Sequence, residues 1–324
     1  MNSEQVLVGD VGGTNVRLAL ASRIKGKIEL SDIEIFSDPN LPSFDEVVGR
    51  YIEQTQATIS QALFALAGPI EADGSIKLTN RAWPKIIPEN IASRFGLKSV
   101  RIVNDFAAMA RGVPELPDSE FSDIIESNLV PEGPILVTGP GTGFGISTLL
   151  ERTEGWEVLT GEGGHAAFAP RTQREFDIMS TITDTNGYVS NEMIVSGYWL
   201  NAVYKAICQL HGIAPEELSA SDIIQKADQN DDICIEVLQF RARAVMGAIG
   251  DAALISGAKR GVVLTGGVAK RIIPWLRSTS AIARFHERGP MTPYLRHTPV
   301  KVLLNGEAPL IGAAALQFET DAAA

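Results

Sequence analysis

The chain has 324 residues, 45% of them hydrophobic and 21% charged, and carries a formal net charge of −11. Its length exceeds a typical single domain, so two domains sharing a cleft are expected, with ample apolar material for a core and no need of a disulfide or metal staple. The shortage of Lys and Arg argues against a nucleic-acid footprint, and no apolar run approaches the ~20 residues of a membrane span. Cys208 and Cys234 fit no C-x-x-C or zinc spacing and read as buried free thiols of a reducing compartment. A strand pattern begins almost at Met1, so no cleaved leader is expected and the protein is taken as cytoplasmic.

Residues 5–9 read as a buried strand running into glycines, and residues 16–21 as its neighbour. Gly26 marks a turn before a third strand over 28–36. Gly12 and Gly13 therefore sit between two strands, unlike a P-loop or Rossmann turn, whose glycines lead into a helix. Phe44, Val47, Val48, Tyr51 and Ile52 share one face of a helix over 43–58, with Ser43 as its cap and Glu46 completing a capping box. Strands over 60–67 and 100–103 follow. The first ends at Gly68-Pro69 and the second at Asn104-Asp105, ahead of a helix from Phe106 to Gly112. This alternation is that of an α/β protein.

A Pro-rich stretch, Val113–Pro117, reads as a linker, after which the cycle restarts. A strand over 134–138, a glycine turn over Gly139–Gly145 and a strand over 145–151 echo the arrangement near residue 10. Helices are expected over 190–212, 215–228 and 230–257. A strand over 261–264 ends in Thr265-Gly266-Gly267, and a strand over 299–304 and a helix over 309–318 close the chain.

Three glycine motifs point to phosphate chemistry. In Asp10-Val11-Gly12-Gly13-Thr14-Asn15 the glycines allow a phosphate to approach bare backbone, Thr14 adds a hydroxyl, and Asp10 can hold a water of Mg²⁺. An ordinary hairpin turn is the competing reading. Gly139-Pro140-Gly141-Thr142-Gly143-Phe144-Gly145 is a second such cradle, against which stands a plain flexible loop. Leu264-Thr265-Gly266-Gly267-Val268 leaves room for a flat adenine or ribose, although strand-to-helix glycine turns are common. Asn104-Asp105, taken locally, is a helix N-cap.

In this order the motifs Asp-x-Gly-Gly-Thr, Asn-Asp, Gly-x-Gly-Thr-Gly, Gly-Glu-Gly-Gly-His and Thr-Gly-Gly resemble the sugar kinases of the actin-like ATPase fold. They are most similar to the bacterial ATP-dependent glucokinase family, from Val6 to Gly312. The resemblance implies a two-domain α/β actin-like ATPase (ribonuclease H-like) fold, with mixed sheets flanked by helices and an interdomain cleft. Residues 1–115 plus 306–324 would form the small domain and 116–305 the large one. It implies ATP at Asp10, Gly12, Gly13, Thr14, Asn15, Gly141, Thr142, Gly143, Gly266 and Gly267, with Mg²⁺ at Asp10 through a water.

The same resemblance makes Asp105 the general base and Asn80, Asn104, Asp105, Glu162, His165 and Glu192 the sugar contacts. The implied reaction moves the ATP γ-phosphoryl group to the 6-hydroxyl of D-glucose, with mannose, N-acetylmannosamine, fructose or a non-catalytic sugar sensor as alternatives. A homodimer formed through the large domain is implied as well. Locally, Glu192 reads equally as a solvated acid at a helix N-terminus, and Trp83 reads as core rather than as a stacking platform.

Two features depart from related patterns. Residues 166–180 hold no cysteine, so the structural zinc of the repressor branch of sugar kinases is not expected. Pro140 fixes φ and removes one N–H from the second cradle. Too few residues precede Asp10 for a helix-turn-helix, so a DNA-binding regulator is not expected either.

Overall fold

Two mainly apolar runs, Val6–Val11 and Gln61–Leu66, become adjacent parallel strands buried on both faces over most of their length. In the computed structural model, residues 5–12, 15–38, 40–78, 81–129, 131–153, 155–183 and 187–323 are described. The chain begins β1 (Val6–Val11), β2 (Val16–Ile24), β3 (Lys27–Phe36), α1 (Phe44–Thr55), β4 (Gln61–Leu66), α2 (Pro88–Phe95), β5 (Ser99–Asn104), α3 (Asp105–Gly112) and β6 (Phe121–Ile125). There follow β7 (Ile135–Pro140), β8 (Phe144–Arg152), β9 (Gly155–Gly161), α4 (Gln173–Ile182), α5 (Asn191–Val195), α6 (Leu200–Leu210), α7 (Ala220–Asp228) and α8 (Asp232–Ser256). The last elements are β10 (Gly261–Leu264), α9 (Gly266–Arg271), α10 (Ile273–Leu276), α11 (Thr279–His286), α12 (Thr292–Leu295), β11 (Val300–Leu303) and α13 (Ala308–Ala323). Two compact units result: Met1–Asp118 with Glu151–Thr160 and Asn305–Ala324, and Ser119–Leu150 with Gly161–Leu304.

The first unit is built on a sheet of order β3-β2-β1-β4-β5. β2 runs antiparallel to β1, whereas β4 and β5 extend the sheet in parallel. Strand alternation sorts its side chains cleanly. Leu7, Leu18, Phe64 and Leu66 pack with Phe44, Val47 and Tyr51 of α1. Val6, Val8, Leu63 and Ala65 face the other way, onto Ala108 of α3 and Leu310, Ala313 and Ala314 of α13. Helices α3 and α13 approach backbone to backbone. A Cβ on Gly112 would overlap the Ala308 carbonyl, and one on Gly312 the Ala108 carbonyl. Beneath them Arg111 is buried and paired with Glu115 (2.8 Å) and Glu319 (2.7 Å), which together hold its pKa up against the opposing effect of burial.

The second sheet has the order β6-β11-β10-β7-β8-β9. Its run β9-β8-β7-β10-β11 repeats β3-β2-β1-β4-β5 strand for strand, so the echo near residues 10 and 140 reflects one arrangement built twice. α8, 25 residues long, supplies the middle of the second core, with Val237, Leu238, Phe240, Val245 and Ile249 buried.

Several elements differ from the sequence expectation. The helix over 190–212 is two helices, α5 and α6, because Ser196 turns extended (ψ 160°) and Gly197 N donates to Gly141 O at 2.7 Å. Ser43 caps α1 by accepting from Glu46 N (3.2 Å), but the Glu46 carboxylate pairs with Arg50 and Arg94; the reciprocal box forms on α7, between Ser219 and Asp222. Val113–Glu115 is a 3-10 turn with Val113 buried, not an open linker. Strands β6 and β9 and helices α2, α4 and α9 to α12 add to the elements expected from the pattern. Trp83 is core, as expected, and its indole N–H donates to Leu41 O at 2.5 Å. Cys208 and Cys234 are buried free thiols. No described helix is long and apolar enough to cross a membrane.

Replacing Gly312 by Val should drive a branched side chain into the Ala108 carbonyl. A loss of about 2–3 kcal/mol is expected for such overpacking, to be read as a lower midpoint in urea unfolding; an unchanged midpoint would mean that α13 does not hold this approach in solution.

Candidate active site

In the first unit, the register sets the ends of three parallel strands level: Val11 opposes Leu66, and Leu66 opposes Asn104. The turn after β1 and the Asn104-Asp105 pair after β5 therefore lie along one sheet edge, the carboxyl edge where α/β sheets receive ligands. The turn is closed by Gly12 N donating to Asn15 O (3.0 Å). It is braced by Arg81 Nε on Gly12 O (3.1 Å) and by Ser37 Oγ on Asn15 Oδ1 (2.8 Å). A Cβ on Gly12 would meet only Asn15 O, at 3.5 Å, in its own turn. Gly13, Thr14 and Asn80 lie outside the described residues.

Asp10 is fixed by a partner that motif reading missed. Arg17 donates Nε (3.0 Å) and Nη2 to Asp10 Oδ2, and Nη1 to Gly306 O. Both bonds to Asp10 fall on a single carboxylate oxygen. A signal for this pair exists in the chain: with β1 and β2 joined through residues 12–15, position 17 stands opposite position 10.

Asn104 caps α3. Its Oδ1 accepts from Phe106 N (2.9 Å) and Ala107 N (3.2 Å), which leaves the amide N–H groups as donors for something other than the helix. Asp105 Oδ1 also accepts from Phe106 N, at 2.9 Å. The capping reading is thus realised, and it presents Asp105 in the first turn of a helix, at the sheet edge. A carboxylate here gains from the exposed N–H groups of that turn.

The second unit gathers the remaining motifs at the corresponding edge. Thr265 N donates to Thr138 O (2.8 Å), joining the ends of β10 and β7. A Cβ on Gly139 would overlap Thr265 O, so only glycine fits there. Gly266 has φ +89°, and a Cβ on it would lie 2.8 Å from Pro140 O. Gly141 N closes the second turn on Gly143 O (2.8 Å). By contrast, a Cβ on Gly141 or Gly267 would meet nothing within 4 Å. These two present bare backbone to open space, as a cradle for a polyphosphate or a flat ring requires. Thr142, between the two turn glycines, is exposed.

Glu192 and the Gly161–His165 segment join this cluster. Glu192 Oε2 accepts from Phe144 N at 2.8 Å, and a Cβ on Gly143 would stand 2.6 Å from the same oxygen. Glu192 therefore braces the second turn from helix α5, a role the sequence did not suggest. Gly164 packs so closely that a Cβ would overlap Phe144 O. Asn191 N donates to Ala166 O, and Phe168 N to Val189 O, both at 2.9 Å, tying the segment to the start of α5. Tyr188 donates its hydroxyl to His165 O. Glu162 and His165 stand largely exposed, with side chains 81% and 61% accessible and 4.0 Å apart.

Among the described residues, no group of three or more His, Cys, Asp or Glu side chains is arranged to hold a metal by itself. A divalent ion shared between one carboxylate, waters and phosphate oxygens remains compatible with Asp10, since Mg²⁺ takes few protein ligands.

A family model described as Glucokinase matches residues 7–320. The glucokinase of Pectobacterium atrosepticum is 35% identical over 312 residues, covering 96% of each chain. That of Tolumonas auensis is 34% identical over 315 residues, covering 97% of each. Among solved structures, a glucokinase from an Antarctic psychrotroph matches with a TM-score of 0.86 at 30% identity, over 97% of this chain and 98% of that one. A ROK family glucokinase from Streptomyces griseus, in complex with glucose and AMPPNP, shares the fold at a TM-score of 0.66 and 17% identity, over 96% of this chain and 98% of that one.

The capping role of Asn104 is separable from any ligand role. Asn104→Ala should cost about 1 kcal/mol of stability in urea unfolding, and Asn104→Asp should restore most of it. An Ala variant as stable as the parent would show that the cap contributes nothing.

Proposed function

The chain belongs to the glucokinase family, and from that membership we propose how its residues divide the work of the reaction. The enzyme phosphorylates glucose with ATP. The observation that carries the assignment is the level ending of β1, β4 and β5, which sets the Asp10–Asn15 turn and Asp105 along one edge. In this reading Asp105 is the general base. A sugar hydroxyl is a poor nucleophile; a carboxylate in hydrogen-bond reach orients it and accepts its proton as the γ-phosphoryl group departs. The 6-hydroxyl of D-glucose is the proposed acceptor.

Asn104 keeps its amide donors for a neighbouring sugar hydroxyl, while Glu162 and His165 read other hydroxyls. Glu192 is assigned a sugar contact in addition to its bond to Phe144. Several fixed partners suit a neutral polyol, because each one left unpaired in a closed site is costly. Asn80, Gly13 and Thr14 keep the roles that the resemblance implies. The backbone of Gly12, Asn15, Gly141, Thr142 and Gly143 is proposed to cradle the ATP phosphates, and Gly266-Gly267 to pass under the nucleoside. The open backbone at Gly141 and Gly267 fits such a ligand. Fold likeness to a protein holding glucose and AMPPNP supports the pairing of hexose with adenine nucleotide.

Asp10, oriented by Arg17, would hold Mg²⁺ through a water, and the ion when bound neutralises phosphate charge. The small and large domains are proposed to be 1–115 plus 306–324 and 116–305, bounds that differ from the two compact units chiefly at Glu151–Thr160, which groups with the first unit. A cytoplasmic homodimer acting at the entry of glycolysis completes the reading.

Asp105→Asn should lower kcat for ATP-dependent glucose phosphorylation by about 10³-fold with glucose affinity changed only a few-fold, measured in a coupled assay and by calorimetry. Full turnover in this variant would overturn the assignment of the base. In the wild type, transfer to N-acetylmannosamine but not to glucose would overturn the assigned acceptor.

A further inference from the structure

Among the buried cations of the second unit that the proposed chemistry does not use, Arg241 differs from Arg284 and Arg288 in pairing with no described carboxylate. Arg241, in the middle of α8, is 1% exposed. Its Nε (3.0 Å) and Nη2 (2.5 Å) both donate to the carbonyl of Val195. No carboxylate among the described residues pairs with it, and burial pushes its pKa down to about 9. A buried charge without a counter-ion is costly, and an apolar side chain of similar volume would fill the same space without that cost. The helix–helix packing of the core therefore does not account for a guanidinium here.

Val195 is the last residue of α5, a helix of five residues. One turn of helix does not hold its own shape, because nucleation fixes several dihedrals for very few bonds. α5 is held from outside. At its start Ser190 Oγ accepts from Met193 N (3.2 Å); at its end Arg241 grips the Val195 carbonyl with two charge-assisted bonds. What α5 carries explains why that hold matters. Glu192, on its first turn, accepts from Phe144 N, and Gly197, just past its end, donates to Gly141 O. The Gly141–Gly143 turn is thus clasped at both ends by a segment whose far side rests on Arg241. A Cβ on Gly197 would lie 3.0 Å from Gly141 O and 3.3 Å from Val268, which carries the hold to the third glycine motif.

We infer that Arg241 is a positioning residue for nucleotide binding: it fixes α5 so that Glu192 and Gly197 set the shape of the Gly141–Gly143 turn. The inference rests on the reading of that turn as an ATP cradle.

The test compares Arg241→Met, which keeps the volume and removes the donors and the charge, with Arg241→Lys, which keeps the charge and one donor direction. Phe240→Leu serves as a control, a neighbouring core truncation without any bond to Val195. ADP affinity is measured by calorimetry well below each melting temperature, beside KM for ATP, KM for glucose and kcat. Arg241→Met should weaken ADP binding about tenfold and raise KM for ATP alongside it, Arg241→Lys about threefold. Phe240→Leu should lower the melting temperature and leave ADP affinity unchanged. The inference is overturned if folded Arg241→Met binds ADP as tightly as wild type, or if Phe240→Leu weakens binding by the same factor. Should Arg241→Met not fold, Arg241→Lys decides, and unchanged ADP affinity there overturns it. A wild-type protein that binds ADP but phosphorylates no hexose would sink the functional reading while leaving this comparison intact.

Discussion

Backbone closeness at the carboxyl ends of the strands is the constraint on which the candidate site depends. In the second unit Thr265 O occupies the space where a side chain on Gly139 would begin, and Pro140 O crowds Gly266. Only because these positions lack a Cβ can the turns after β7 and β10 touch, and only then do the proposed phosphate cradle and the proposed nucleoside platform share one edge. The first unit uses the same economy on its flank, where Gly112 and Gly312 let α3 and α13 meet without intervening side chains. α3 begins at Asp105. The proposed base is thus placed by a strand register on one side and by a glycine-mediated helix crossing on the other.

The recurrence of one strand order in both sheets gives this placement a common origin. Each copy puts an antiparallel hairpin beside parallel strands, with a glycine turn where the hairpin bends. The copies then diverge in what they hang on the edge. The first offers Asp10 held by Arg17 and the Asn104-Asp105 pair. The second offers Glu162, His165 and Glu192 around a turn in which Gly141 is open to space.

What can be read from the sequence follows from the range of each interaction. Glycine pairs after apolar runs punctuate locally, so all three turns and both hairpins are legible from residue order alone. Asn104 is legible in two ways, and both are compatible, since its carbonyl caps α3 while its amide faces elsewhere. The break after α5 is not legible, because apolar spacing continues through Ser196-Gly197 and the reason for the break is a bond to Gly141, more than fifty residues earlier in the chain. β9 escapes because most of its side chains are exposed. Arg241 escapes because Phe-Arg-Ala-Arg looks like a solvated stretch of helix. Two positions apart on a helix point to opposite sides, however, and the structure buries Arg241 while Arg243 reaches toward Glu175 at 3.7 Å.

The position of α13 has a consequence for the order of events on the ribosome. Leu310, Ala313 and Ala314 complete one face of the sheet that Val6 and Val8 begin, and Glu319 neutralises buried Arg111. Strand β1 therefore waits for a helix made after the whole second unit. While the intervening chain is translated, that face of the first sheet is covered only in part, by α3, and the second unit has the opportunity to fold ahead of its completion. The growing polypeptide closes the first unit only after the second has been made, and synthesis rate and chaperone access bear on that step.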